Sequence, residues 1–305
     1  MADTCPICSS KGKQIRDNVK GGVSVNVYRC DECYLDFLET WDDEKRVYSF
    51  YDRDNYVFKP NVTGEKMKYN EYEGRFKRVF PFLKQDTKLL DIGCGDGTFL
   101  RMVRPHVAVA EGTEITTYHV NNLRKEGVKI WDCFLHEMTP EGPYDIICLF
   151  ALLEHVPKVM KFLNDLKSRF THEKTQIFIE VPNLLDPLTS CYDVREYRDF
   201  FYREYHLYYF SEKSLNKLIN KAGFNCQTEP LLQASLTNHF HWMHEGKGQA
   251  TTTDMSNVVL PRAALMDKTP AGNAFMDILD KVDDFYRELL LKEGIGDLLA
   301  CRAWL

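Results

Sequence analysis

The stretch that most narrows the possible folds is Lys88-Leu-Leu-Asp-Ile-Gly-Cys-Gly-Asp-Gly-Thr-Phe-Leu100. A short β run carries Asp91 near its end, glycines follow at every second position (Gly93, Gly95, Gly97), and Phe99, Leu100, Met102 and Val103 begin an amphipathic helix. Glycine accepts left-handed dihedrals and has no side chain to hold a ligand away, so this turn lets main chain approach a bound molecule closely. A dinucleotide turn, G-x-G-x-x-G, would need its third small residue at position 98, where Thr98 stands. The spacing Asp91-x-Gly93-x-Gly95-x-Gly97 instead suits a nucleotide-like cofactor with a cationic amino-acid tail, which Asp91 would face directly, through a water or through a backbone turn. The next β run, Val107 to Glu114, ends on a carboxylate 23 residues after Asp91, where a ribose diol is gripped by paired hydrogen bonds.

Strand and helix patterns then alternate. Val128–Cys133, Tyr144–Phe150 and Thr175–Val181 read as strands, and Pro157 opens a helix with Met160, Leu163, Leu166 and Phe170 on one stripe. Ser211 is placed to cap a helix bearing Leu215, Leu218, Ile219 and Ala222 and closed by Gly223. Phe224–Leu232 would be a sixth strand and Leu298–Leu305 a last one, inserted antiparallel at the edge. Such alternation predicts an α/β fold, a doubly wound, seven-stranded, mostly parallel sheet. Thr269-Pro270 starts a long helix whose stripe of Phe275, Ile278, Leu279, Val282, Phe285, Tyr286, Leu289 and Leu290 suits core packing, with a homodimer seam as the alternative.

In front of the sheet, Cys5-Pro-Ile-Cys8 and Cys30-Asp-Glu-Cys33 are joined through a Gly21-Gly22 hairpin. Two C-x-x-C turns at this separation can converge four thiolates on one tetrahedral Zn2+. Four protein ligands leave no position for a reacting water, so the expected site is structural. The chain divides into a zinc ribbon (1–45), a connector with leading helices (46–84) and the sheet domain (85–305), with an insertion at about 184–210 and a C-terminal helix at 270–293.

Residues 1–40 hold five basic residues (Lys11, Lys13, Arg16, Lys20, Arg29) against six acidic ones, and the whole chain has a formal net charge of −6. Nucleic acid needs a compensating basic surface, so it is a disfavoured partner and the ribbon reads as a staple that shapes a neighbouring cleft. The other six cysteines are scattered, as in a reducing cytoplasm. The longest apolar run, Ile146–Leu153, has eight residues, well below the roughly 20 of a membrane span. The N-terminus lacks a basic-then-apolar leader.

Asp91-Ile-Gly-Cys-Gly-Asp-Gly97 with Glu114 closely resembles the S-adenosylmethionine site of class I methyltransferases. The resemblance continues through Tyr144–Val156, Ile177–Asn183 and His206–Ser211 and covers roughly residues 66 to 305. It implies S-adenosyl-L-methionine as cofactor, held by Asp91, Gly93, Cys94, Gly95, Gly97 and Glu114. Cys133 and Phe134 would flank the adenine, Phe134 serving equally well as plain core, and Phe150 would end the strand that faces the methyl group. With the four-cysteine ribbon in front, and with Ser235–Trp242 and Gly246-Lys-Gly248 behind, the chain resembles bacterial methyltransferases of sugar and surface-polysaccharide biosynthesis. Sugar C-methyltransferases space their C-x-x-C pairs more widely and carry a longer C-terminal domain, which turns the expectation from carbon toward oxygen. Enzymes acting on planar exocyclic amines end the fourth strand in Asp/Asn-Pro-Pro-aromatic, and Phe150-Ala-Leu-Leu-Glu-His155 lacks that turn.

The acceptor is expected at the C-terminal strand edge, under a lid in which residues 192–210 hold nine aromatic side chains. Most of these rings should pack the lid down, with Tyr205, His206 and Tyr209 left to meet the acceptor, a small molecule or glycan such as a nucleotide-linked sugar. A hydroxyl acceptor needs a base, and His206 and His155 are the candidates. Asn238, His239 and Lys247 are expected to touch the acceptor or its phosphate. Two rivals are an RNA base or ribose methyltransferase anchored by the ribbon, and a non-catalytic cofactor-binding scaffold.

Overall fold

The structure is a computed structural model that describes residues 3–19, 24–43, 65–139, 142–249 and 269–305. The Gly21-Gly22 hairpin and most of the connector lie outside the described residues. Three short strands open the chain: β1 (Lys13–Arg16), β2 (Val27–Cys30) and β3 (Leu35–Leu38). There follow α1 (Glu65–Val79), β4 (Lys88–Ile92), α2 (Thr98–Val103), β5 (Val109–Thr113), α3 (Thr117–Lys125), β6 (Lys129–Trp131), β7 (Ile146–Phe150), α4 (Val159–Phe170) and β8 (Gln176–Pro182). The remainder runs α5 (Pro187–Ser190), α6 (Arg195–Phe201), β9 (Tyr208–Phe210), α7 (Glu212–Lys221), β10 (Asn225–Leu231), α8 (Leu236–Glu245), α9 (Pro270–Lys292) and β11 (Leu298–Trp304).

Seven strands form one sheet in the order β10-β11-β8-β7-β4-β5-β6, parallel from β8 to β6 and antiparallel on both sides of β11. β11 does not end the sheet, as the sequence suggested; it lies one strand in, and β10 takes the edge. The side chains explain the order. Leu299, Ala300, Cys301 and Ala303 of β11 are buried and need a partner on each side, whereas β10 alternates exposed and half-buried positions and carries Pro230, which an edge strand tolerates. Helices cover both faces by their apolar stripes: Val159, Leu163, Leu166 and Phe170 of α4 and Leu215, Leu218 and Ile219 of α7 share one core with Leu90, Ile147 and Ile179, while Phe99, Leu100 and Val103 of α2 and Val120 and Leu123 of α3 pack with Leu89, Ile146 and Cys148 on the other face. Ser211 caps α7 reciprocally with Ser214.

The ribbon does not stand apart from this domain. Its sheet runs β1-β2-β3-β9, so its fourth strand comes from residues 208–210, paired antiparallel with β3 (Leu35↔Phe210, Asp36↔Tyr209, Phe37↔Tyr208). Leu35, Phe37, Tyr208, Tyr209 and Phe210 are fully buried and belong to one core with Leu215 and Leu218. Asp36, equally buried, accepts two hydrogen bonds from Arg29 (2.7 and 2.8 Å) and one from the Tyr202 hydroxyl (2.7 Å), which meets the cost of enclosing a carboxylate. Lys221 of α7 donates to the Ile7 carbonyl beside the first cysteine pair.

Helix α9 corrects the core expectation. Phe275, Ile278, Val282, Phe285 and Leu289 are 40 to 67% exposed, and Leu290 is the apolar residue of the stripe that is buried. No helix among the described residues is long and apolar enough to cross a membrane.

Candidate functional site

A cavity of about 680 Å3 opens at the C-terminal ends of β4, β5 and β7, where a doubly wound sheet binds its ligand. The glycine turn forms one wall. Gly93, Gly95 and Gly97 have φ of +74°, +55° and +74°, a region from which other residues are largely barred. At Gly95 a Cβ would meet nothing within 4 Å among the described residues, so this residue presents bare main chain to the cavity, where Gly93 also lies. Gly97 serves packing instead, since a Cβ there would come within 2.2 Å of the Leu123 side chain on α3.

Glu114, at the end of β5, lines the same wall. Its carboxylate accepts from the main-chain N–H groups of Gly95 (2.9 Å), Ile115 (2.8 Å) and Thr116 (2.7 Å), which fixes it against the turn. Cys133 and Phe134 line the cavity beyond β6, and Phe134 lies parallel to His136 with ring centroids 5.8 Å apart. Four other residues expected at the cofactor are not on the wall. Asp91 is 3% exposed beneath the turn, and burial pushes its carboxyl up to about 7. Cys94 is tucked against the Gly112 backbone of β5, Gly97 abuts Leu123, and Phe150 packs edge-on to Phe99 (5.0 Å) with the Arg75 guanidinium over its ring. Each supports the wall from behind.

The opposite wall joins the end of β7 to the inserted segment: His155, Arg203, Tyr205 and His206 line it. His155 Nδ1 lies 2.9 Å from the Tyr205 carbonyl, which can only accept, so this nitrogen carries the proton. The His155 and His206 rings meet edge to face at 4.7 Å, and Arg203 donates to the Tyr205 hydroxyl (2.9 Å). Burial, helped by the Arg203 charge, pulls His155 down to about 4 and His206 well below the ordinary histidine range, so both rings are neutral at pH 7. Glu154 sits directly behind them, 1% exposed, and burial raises its carboxyl to about 8. The ribbon backs this wall: Leu38 N–H donates to Leu207 O (3.0 Å) and Ser211 Oγ to Tyr34 O (2.6 Å), on either side of β9.

Four expected acceptor residues lie elsewhere. Tyr209 is fully buried, its hydroxyl held between the N–H and carbonyl of Arg203. Asn238, His239 and Lys247 are on or just after α8, which packs on α5 and α9 and not over the cavity. Asn238 is buried and accepts from Gln249 N–H, His239 is bonded to the Tyr286 hydroxyl (2.6 Å), and Lys247 is exposed on the surface. Pattern reading passed over Tyr72 and Asp96, which line the cavity joined by a hydrogen bond (3.3 Å), as well as Arg203 and Glu154. Asp96 could have been found as the one charged residue inside the glycine turn. Tyr72 could not, because the tertiary fold alone brings α1 to the turn.

In the ribbon, the sulfur atoms of Cys5, Cys8, Cys30 and Cys33 lie within 4.8 Å of one another, Cys8 and Cys30 at 3.5 Å. Zn–S bonds of about 2.3 Å in a tetrahedron need sulfurs about 3.8 Å apart, so the set fits such an ion. Likewise the open main chain at Gly95, the fixed carboxylate of Glu114 and the apolar far end at Phe134 fit an adenosyl cofactor.

Strand order, antiparallel β11 and a glycine turn facing a carboxylate at the end of β5 together define the class I methyltransferase architecture. Residues 64–229, more than half of the chain, match the family described as methyltransferase domain, and the chain belongs to that family: it is an S-adenosylmethionine-dependent methyltransferase. Among solved structures, a SAM-dependent methyltransferase from Archaeoglobus fulgidus aligns with a TM-score of 0.50 at 15% identity, over 79% of this chain and 97% of that one. Phosphoethanolamine N-methyltransferase 2 of Haemonchus contortus, in complex with S-adenosyl-L-methionine, aligns with a TM-score of 0.52 at 16% identity, over 85% of this chain and 59% of that one. At these identities the likeness speaks to the fold alone. No curated protein matches the chain in sequence.

Proposed function

We propose that the protein methylates a hydroxyl of a sugar or surface-glycan precursor, such as a nucleotide-linked sugar. The observation that carries this reading is the wall facing the glycine turn: a phenol ring (Tyr205), a guanidinium (Arg203) and two imidazoles held neutral (His155, His206) within one cavity. A ring of this kind stacks on a sugar face, a guanidinium pairs with phosphate, and the imidazole corner lies where it can activate an acceptor hydroxyl. S-adenosylmethionine supplies an electrophilic methyl group on a cationic sulfur. Gly93, Gly95 and Glu114 hold its amino-acid and ribose portions, Cys133 and Phe134 its adenine, and Asp91, Cys94, Gly97 and Phe150 act from behind. Cys5, Cys8, Cys30 and Cys33 hold a structural Zn2+ in a ribbon spanning residues 1–45, which keeps residues 203–206 against the cavity.

Against RNA as the acceptor stands the ribbon's own pairing: Arg16 is engaged by Asp199 (2.6 Å) and Arg29 by Asp36. For a homodimer stands α9, whose exposed Phe275, Ile278, Val282, Phe285 and Leu289 follow a 3-4-3-4 spacing suited to a second copy of the same helix. Light scattering should give a dimer that Phe285→Glu converts to monomer. The function is tested by offering methyl-labelled cofactor with a panel of nucleotide sugars and with RNA. Label is expected in a sugar hydroxyl, and His206→Ala should lower kcat about a hundredfold while the affinity for S-adenosylhomocysteine stays unchanged. Label in RNA, or in no acceptor, would remove the reading.

A further inference from the structure

We propose that Glu154, His155 and His206 form a divalent-cation site on the acceptor side of the cavity, separate from the four-cysteine knuckle. The ligand atoms these three side chains offer lie within 4.8 Å of one another. Ligands about 2.1 Å from one ion sit roughly 3 to 3.5 Å apart, so binding an ion would draw these atoms together by about 1 Å. Three further features point the same way.

First, the tautomer is already the one a metal ligand needs. His155 gives its Nδ1 proton to the Tyr205 carbonyl (2.9 Å), so the lone pair is on Nε2, and Nε2 is the nitrogen 3.7 Å from Glu154 Oε1. Histidine ligands of metals are held in this way, by a backbone carbonyl on the nitrogen away from the ion. Second, among the described residues Glu154 Oε2 has no hydrogen-bond partner, although the residue is only 1% exposed. A buried polar atom left unmatched is costly, and a cation would be a suitable partner for a carboxylate oxygen. Third, the corner is held rigidly and is open on one side. Leu207 N–H donates to the Glu154 carbonyl (2.6 Å), tying the end of β7 to the segment that carries His206, while both imidazoles face the cavity and Glu154 closes the back. Three protein ligands gathered on one side leave positions toward the cavity for a water or an acceptor oxygen.

Two imidazoles and one carboxylate favour Mn2+, Fe2+, Co2+ or Zn2+ over Ca2+ or Mg2+, and thiolate-loving ions are left to the knuckle. The use of the site, though not its existence, rests on the hydroxyl-methylation reading. An acceptor hydroxyl placed on the open side becomes more acidic, and its O–H bond breaks with the proton passing to solvent water. The oxygen lone pair then forms the C–O bond as the sulfonium C–S bond breaks. The products are a methyl ether, S-adenosylhomocysteine and a proton, and no oxidant is required.

The test is Mn2+ titration of the full-length, zinc-loaded protein, followed by the EPR signal of free Mn2+. One saturable Mn2+ per chain is expected, with affinity at least tenfold weaker in Glu154→Gln and in His206→Gln. S-adenosylhomocysteine binding, measured in parallel, reports that each variant is folded, and His206→Gln answers the question alone if Glu154→Gln does not fold. Absence of saturable binding to the wild type, or binding that survives in a folded variant, overturns the site. A wild-type protein that binds no Mn2+ yet methylates a sugar hydroxyl loses only the cation; one that binds Mn2+ but methylates no sugar loses only the acceptor reading.

Discussion

The two walls of the cavity are built in opposite ways. The wall built on the glycine turn, where we propose that the cofactor lies, is local: Gly93, Gly95 and Glu114 lie within 22 residues of one another, and strand pairing of β4 with β5 alone brings them together (Asp91↔Gly112, Ile92↔Thr113). The opposite wall, proposed to meet the acceptor, joins His155 to Arg203, Tyr205 and His206 some 50 residues later, and a ribbon from the far end of the chain supports it from behind. A local wall should survive damage to distant packing, and an assembled wall should not. The comparison also separates two uses of glycine in one turn, with Gly95 open to ligand and Gly97 closed against a helix.

The largest expected effect breaks the local wall at its hinge. Gly97→Ala forces a Cβ to 2.2 Å from Leu123 at φ +74°, and left-handed strain plus overpacking should cost about 2 to 4 kcal/mol in denaturant unfolding. Gly95→Ala, with open space around its Cβ, should cost only the strain of about 1 to 2 kcal/mol while hindering the cofactor. Equal losses at the two sites would erase the distinction between them.

Cys30→Ser attacks the assembled wall from the ribbon. Methyl transfer should fall by about a hundredfold as Tyr205 and His206 lose their backing, while calorimetric affinity for S-adenosylhomocysteine changes less than about threefold. Parallel loss of both would mean that the walls are not independent. Conversely, Glu114→Ala should weaken S-adenosylhomocysteine by about 1 to 3 kcal/mol through lost charge-assisted contacts, with Mn2+ binding untouched. Unchanged affinity would remove Glu114 from the site.

The smallest effect is a pH dependence. The Glu154 carboxyl is raised from 4.5 to about 8 by burial, so the folded protein binds more protons than the unfolded chain between those values. Its contribution to stability is full below pH 4.5 and is lost as pH rises through 8. In chelator, wild type should therefore lose about 1 to 2 kcal/mol more than Glu154→Gln between pH 5 and pH 8, less than the whole shift because side chain and water relax on ionisation. Equal slopes in denaturant unfolding at the two pH values would place the carboxylate in contact with water.

Much of the fold and of the wall built on the glycine turn was legible in the sequence because periodicity, turn glycines and a carboxylate at a strand end are all local signals. The sheet, the capping of α7 by Ser211 and the pairing of Cys5-x-x-Cys8 with Cys30-x-x-Cys33 follow from spacing along the chain. The acceptor wall was legible only in part. His155, Tyr205 and His206 were found by residue type, but Tyr209 and His239 have the same types and are buried in packing. Burial is a property of the whole fold.

Local sequence thus determined where a cofactor turn could form and what kind of sheet would carry it, since hydrogen-bonding period and backbone dihedrals are set by neighbouring residues. The tertiary structure decided that the ribbon would take Tyr208–Phe210 as its fourth strand, that the stripe of α9 would face outward, and that Glu154 would stand behind two histidines. Those outcomes depend on contacts between segments far apart in the chain, where burial and charge are settled jointly by every element that packs around them.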